Sequence, residues 1–165
     1  MARLASWLVV GVVLCGLAFV AATTGALPPR VATHFGQGGA ANGWMTREGY
    51  AWFALAFALL LPLVVMASIG FLPARFPKSV NLPHREHWLA PQRREATLAW
   101  LRGFGAAMGL ATALFAIGVH ALILDANART PARLDETAFF GVLAAFVLAM
   151  VGGAIAMYAK YRRVP

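Results

Sequence analysis

Apolar positions gather into four long blocks, at about residues 5–26, 51–72, 97–124 and 138–159, separated by short polar passages. Crossing a bilayer as a helix takes about 20 apolar residues, so each block is long enough to be a span. The third is overlong and is expected to tilt or to extend past the lipid. The first carries Arg3, an apolar stretch and small residues up to Ala26, as a signal peptide does. Because the sequence carries it from Met1 on, it is expected to be a retained transmembrane helix. The pattern therefore predicts an all-α integral membrane protein. One four-helix domain covers residues 1–165.

Composition sharpens this. Hydrophobic residues make up 61% of the 165 and charged residues 12%, where a soluble domain carries about 25% charged. The mean hydropathy is +0.70. A core of this length cannot hide so much apolar surface, so the excess must face lipid. The single cysteine, Cys15, lies inside the first block and allows no disulfide within the chain. It reads as a small buried hydrophobe.

The net charge is +8. In a soluble protein that would suggest nucleic acid. Here the basic residues flank the apolar blocks, so topology and anionic lipid headgroups account for them better, and no nucleic-acid partner is expected. With the N-terminus inside, Arg3, Arg75, Lys78, Arg85, Arg93, Arg94, Arg102, Lys160, Arg162 and Arg163 fall on the cytoplasmic side, and only Arg30, Arg47, Arg129 and Arg133 outside. Both termini are expected in the cytoplasm of a bacterium, with a multi-pass chain in its inner membrane. Trp7, Trp88, Trp100, Tyr158 and Tyr161 then anchor the inner interface, and Trp44, Tyr50 and Trp52 the outer one. Within the spans, Gly105 and Gly109 have the spacing that lets helices approach closely, and Gly152 and Gly153 offer a second such site. Pro62 is expected to kink the second span.

Two connectors carry the remaining chemistry. In "LPPRVATHFGQGGAANGWMTREG", residues 27–49, Pro28 and Pro29 end the first helix. "RVATHF" reads as a short strand, "GQGGAANG" as a turn region in which Asn42-Gly43 suits positive φ, and "WMT" as a returning strand. A small β-hairpin-like loop on the outer face is the result. Thr46 is placed to cap the second span, with Glu48 in its first turn. His34 reads as a hydrogen-bonded loop residue or as a metal ligand. His120, near the outer end of the third span, is a functional candidate because a histidine inside a span is rarely idle. With Asp125 the two histidines would offer three ligands for zinc or copper and leave water as the fourth. No other cofactor is implied.

The second connector contains "NLPHREHWLAPQRR". Pro73 and Pro77 end the second span, and Pro91 suits the first turn of the next helix. Trp88 and Leu89 are expected to dip into the interface while arginines meet phosphates. His84 and His87 are spaced to share a helix face, but a third ligand is missing, so they read as interfacial anchors rather than as a metal pair.

These two strings resemble the SdpI-like bacterial immunity membrane proteins, in their N-terminal domain-of-unknown-function part, over residues 5–96. His34, Phe35, Gly39, Asn42, Gly43 and Trp44 carry the outer motif. Asn81, Leu82, Pro83, Trp88, Leu89, Pro91, Arg93 and Arg94 carry the inner one. The resemblance implies a protein that protects a cell from a secreted toxic peptide, or that signals by holding a repressor at the membrane. It implies no catalytic residues. The leading expectation is a non-enzymatic protein that binds a hydrophobic peptide or a partner at its outer loop. The alternatives are an accessory subunit of a larger membrane complex, such as a transporter or oxidase, and a metal-handling protein using His34 and His120. An enzyme is not expected, since neither a Ser-His-Asp order, a phosphate loop nor a cofactor fingerprint is present. Asp135 and Glu136 read as acidic residues at a helix N-terminus.

Overall fold

A computed structural model describes residues 2–164, without the side chains of Ala2, Arg3 and Ser79. Arg3, counted above for sidedness, therefore has a side chain outside the described set. Four helices are long and apolar enough to cross a membrane, and the chain is a multi-pass helical membrane protein. Helix α1 covers Ala2–Thr24 and α2 covers Arg47–Gly70. Two short helices follow, α3 (Leu72–Arg75) and α4 (Arg85–Trp88). Helix α5 covers Pro91–Ala128 and α6 covers Glu136–Tyr161. Between α1 and α2 lies an antiparallel hairpin of β1 (Arg30–Phe35) and β2 (Ala41–Thr46). The hairpin and the α5–α6 loop form one end of the bundle. The α2–α5 connector, the start of α1 and the end of α6 form the other.

Helix α5 is the mast of the bundle. Its 38 residues measure about 57 Å at 1.5 Å each, against a hydrocarbon layer of about 30 Å. It is longer at both ends than its apolar block. Pro91 at its first turn starts it early, and polar Asp125 and Asn127 continue it past the lipid-compatible stretch. Helices α1, α2 and α6 all pack on it. Against α2 the backbones meet at Gly105 and Gly109. A Cβ on Gly105 would lie 2.8 Å from the Gly70 nitrogen, and one on Gly109 would lie 3.1 Å from the Pro62 carbonyl oxygen. Small residues thus set this crossing, since close backbone approach is what binds helices where water exerts no drive. Helix α2 runs unbroken from Arg47 to Gly70 through Pro62. On α6 only one of the two expected glycines packs: Gly153 sits against Met108 and Phe104, while Gly152 faces open space.

The buried core has three parts. One lies beneath the hairpin (Val20, Leu27, Val31, Tyr50, Ala54, Ile123), one in mid-bundle (Val9, Val13, Met66, Ala106, Ala113) and one at the terminal end (Leu82, Leu98, Leu101, Tyr161). The expected cap at Thr46 is present, and Asp135 caps α6. Thr46 Oγ1 accepts from the Gly49 N–H at 3.0 Å, and Asp135 Oδ1 accepts from the Ala138 N–H at 3.0 Å. Each supplies an acceptor that the first helical turn lacks.

The turn falls within the expected glycine-rich stretch, at its start and not at Asn42-Gly43. Those two residues lie inside β2. The chain reverses over Gly36–Ala40, with Gly38 and Gly39 at φ +72° and +73°. The reason is tertiary. The α5–α6 loop crosses so close that a Cβ on Gly39 would stand 2.2 Å from the Leu134 carbonyl oxygen, a position that only glycine can fill.

Candidate functional site

The hairpin is bolted to the end of the bundle by side chains from α5, α6 and the loop between them. The Asn127 amide behaves like a strand edge toward β1: its Oδ1 accepts from the Ala32 N–H at 2.8 Å, and its Nδ2 donates to the Ala32 carbonyl at 2.9 Å. Val31 and Ala32 are fully buried. At the tip, the Gly38 N–H donates to Glu136 Oε1 (3.0 Å), and Arg133 Nε donates to the Gly38 carbonyl (2.8 Å). The Leu134 N–H donates to the Gly39 carbonyl at 2.9 Å. At the base, the Arg47 guanidinium donates to the carbonyls of Gly25 and Leu27.

This mount holds Trp44 outward, 49% exposed, with the Arg30 guanidinium 5.8 Å from the indole centroid. Beside it runs a groove of about 490 Å³ lined by Ala40, Ala41, Trp44, Pro131, Ala132 and Arg133. Phe35 turns inward and packs on the core beneath. His34 is exposed, with Nδ1 3.1 Å from Thr33 Oγ1 and its ring over Gly43. Of the outer-motif residues, Gly39 builds the tip and Phe35 the underside. Trp44 borders the groove. His34 and Asn42 sit exposed on the two paired strands.

Under the hairpin lies a buried polar node that ties three helices together. His120 on α5 is 2% exposed. Its Nδ1 is 2.7 Å from the Tyr50 hydroxyl on α2, and its Nε2 is 2.8 Å from Thr23 Oγ1 on α1. The Thr23 hydroxyl donates its one proton to the Phe19 carbonyl at 2.7 Å. Its oxygen must therefore accept from His120, which assigns the proton to Nε2. Nδ1 is left with a lone pair and accepts from Tyr50. The rings of Phe19, edge-on, and Tyr50, stacked, enclose the imidazole. A neutral histidine with both nitrogens satisfied is how a polar ring is held in an apolar bundle.

The expected group of His34, His120 and Asp125 does not assemble. His120 faces the bundle interior and both its nitrogens are engaged. His34 is on the outer surface of the hairpin. Asp125 accepts from Arg129 at 2.7 Å. Among the described residues, no group of three or more His, Cys, Asp or Glu side chains could hold a metal ion.

At the terminal end the connector packs against the end of α6. Trp88 was expected to dip into the interface. It is half-buried, donates Nε1–H to the Tyr161 carbonyl at 3.0 Å and stands edge-on to the Tyr161 ring. An indole N–H needs an acceptor, and the C-terminal carbonyls of α6 supply one. His84 and His87 part company. His84 Nε2 lies 3.2 Å from the Arg162 carbonyl, and the His87 ring stands edge-on to Trp88. Burial, then the nearby Arg93 and His84, hold the His87 pKa below its ordinary value. Arg94 donates to the Ala74 carbonyl at 3.0 Å, while Arg93 is exposed. Asn81 is exposed, and Pro83 is half-buried beside it.

Three residues of this architecture were not signalled by the sequence: Thr23, Tyr50 as a hydrogen-bond donor, and Asn127. Each is a single polar residue near the end of a span. The polar fringe of an apolar block is the only mark such residues leave.

The fold and the hairpin define a class, the multi-pass helical membrane protein with a structured loop at one end. A family model described as a domain of unknown function, DUF1648, matches residues 11–59. It runs from within α1, through the whole hairpin, into the first half of α2, and so contains the outer motif and not the inner one. No curated protein and no solved structure matches the chain.

Proposed function

We propose that the chain lies in the bacterial cytoplasmic membrane with both termini inside, and that its outward hairpin receives a hydrophobic or amphipathic peptide, or a membrane-protein partner, without catalysing a reaction. One observation carries this reading. A large indole, Trp44, is held half-exposed beside a groove on a hairpin pinned from below by Asn127, Arg133 and Glu136. A rigid mount lowers the ordering cost of binding. Tryptophan is among the residues that most often anchor a bound partner. The excess of basic residues at the terminal end supports the sidedness. The SdpI-like resemblance suggests protection against a secreted peptide as the biological form of this binding.

The test is survival. Cells making the wild-type chain or Trp44→Ala, with equal membrane insertion, are exposed to amphipathic peptides secreted by neighbouring bacteria. Protection by the wild type that is lost in the variant supports the reading. Equal survival of both strains sinks it. A second reading, an accessory subunit of a larger complex, draws on α6, whose most apolar stretch has none of its residues buried. Purification in mild detergent with a stoichiometric neighbour attached would favour that one.

A further inference from the structure

The terminal end holds a cleft that the hairpin reading does not use. It measures about 380 Å³ and is walled by Ser68 and Leu72 at the end of α2 and start of α3, by Val80 and Leu82 of the connector, and by Leu101 and Met157 of α5 and α6. That size is within the range of small-molecule pockets, about 300–1,000 Å³. Its walls are mostly aliphatic. It lies where α2 ends and α6 is one turn from its end, at the level where a bilayer passes from chains to headgroups.

Cations ring this level. Arg94 is held against α3 by its bond to the Ala74 carbonyl, two residues from Leu72. Arg85 donates to the Lys78 carbonyl, two residues from Val80. Arg75 and Lys78 are exposed in the same turn, and Arg102 follows Leu101 directly. The acids at this end are Glu86 and Glu95. Among the described residues every ion pair lies at the hairpin end, between Arg129 and Asp125 or Asp135. The cations beside the cleft thus have no carboxylate partner among the described residues, and two of them are fixed in place by backbone carbonyls. An apolar slot whose wall residues adjoin positioned, unneutralised guanidinium groups matches a molecule with an acyl chain and an anionic phosphate. Guanidinium binds phosphate with geometric specificity.

The geometry points to a binding site for one anionic phospholipid, its acyl chain in the cleft between Leu101 and Met157 and its phosphate on Arg85 and Arg94. Detergent extraction leaves such a lipid attached while bulk lipid is lost. The site does not depend on what the hairpin binds or on which way the chain faces.

The full chain is reconstituted in nanodiscs of phosphatidylcholine and, separately, in mixtures with phosphatidylglycerol of the same acyl chains. Lipid retained after detergent exchange is counted by native mass spectrometry. One phosphatidylglycerol retained at about ten-fold preference over phosphatidylcholine is the expected result, falling as salt is raised. Soluble glycerophosphate at the same concentration should not compete, because it brings no acyl chain. Arg85→Gln with Arg94→Gln should abolish the preference. Ser68→Phe, which fills the cleft and keeps the arginines, should lower retention of the lipid. Equal retention of the two lipids by the wild type overturns the site without recourse to any variant. Displacement by glycerophosphate overturns the acyl-chain half of it.

Discussion

The Tyr50 hydroxyl and His120 Nδ1 lie 2.7 Å apart, in the interior of the bundle and just below the hairpin. With Thr23 on the other ring nitrogen, this contact makes α1, α2 and α5 share one imidazole. Tyr50→Phe would leave Nδ1 buried without a donor, and Thr23→Val would strand the Nε2 proton. An unpaired buried polar group costs about 1–3 kcal/mol. Each variant should lower the thermal midpoint in detergent. The double variant should fall by less than the sum, with a coupling of about 0.6–1.7 kcal/mol as measured between polar groups inside membranes. Strict additivity would mean that the three side chains do not act as one unit.

Asn127 should govern the order of the hairpin more than any hairpin residue does. Asn127→Asp keeps an acceptor for the Ala32 N–H but turns a second oxygen toward the carbonyls of Ala32 and Ile123, both of which now accept from Nδ2. Amide exchange at Ala32 should rise about ten-fold, as expected for losing roughly 1.4 kcal/mol of hydrogen bonding. The terminal core around Tyr161 should keep its protection. A uniform rise across the chain would point to global loss of stability instead.

Glycine substitutions should split sharply by position. Gly39→Ala needs φ +73° from a residue with a Cβ, and puts that Cβ into the Leu134 carbonyl. Gly105→Leu drives a side chain into the α2 backbone at Met66 and Gly70. Both should fail to give a stably folded protein in detergent. Gly152→Ala meets no atom within 4 Å and should raise helix stability by up to about 1 kcal/mol through propensity alone. Thermal scans of the three variants, made under one set of conditions, check the order.

Tyr161 is almost fully buried, and its hydroxyl has no hydrogen-bond partner among the described residues. Removing it removes an unpaid desolvation cost, so Tyr161→Phe should leave the thermal midpoint unchanged or higher. A marked fall would reveal an acceptor for that hydroxyl.

The lowered pKa of His87 fixes the sign of an acid effect. The folded state favours the neutral ring, while the unfolded chain takes up a proton near the ordinary value of 6.5. Its contribution to stability is therefore present above that value and is lost as pH falls below it. His87→Phe, which keeps an aromatic edge against Trp88, should lose less thermal stability than the wild type on going from neutral to mildly acid buffer. An equal loss in both proteins would show that other groups carry the effect.

The spans were legible because lipid imposes a length and a polarity that any sequence must display. The cap at Thr46 was legible because capping is local, while Asp135 stood out only as an acid beside a helix N-terminus. The start of α5 was legible in Pro91, which suits a first helical turn, but its far end was not, since Asp125 and Asn127 sit in polar sequence that reads as connector. Asn42-Gly43 misled for a related reason. A turn dipeptide marks where a reversal is cheap, but Gly38 and Gly39 offered another, and contact with Leu134 chose between them. His120 stood out as a histidine inside a span, yet its partners come from residues 97 and 70 positions away. No periodicity records such a meeting.

Helix α6 lies along α5 by itself, but it is moored at its two tips. At one, Glu136 and the residues before it hold the reversal of the hairpin; at the other, the carbonyl of Tyr161 takes the indole proton of Trp88. Between those tips it is also held along its length, by Phe146 stacked on Phe115 and by Gly153 against Met108. One helix, backed by α5 throughout, thus sets the spacing between the tip of the hairpin and the seat of Trp88 on Tyr161.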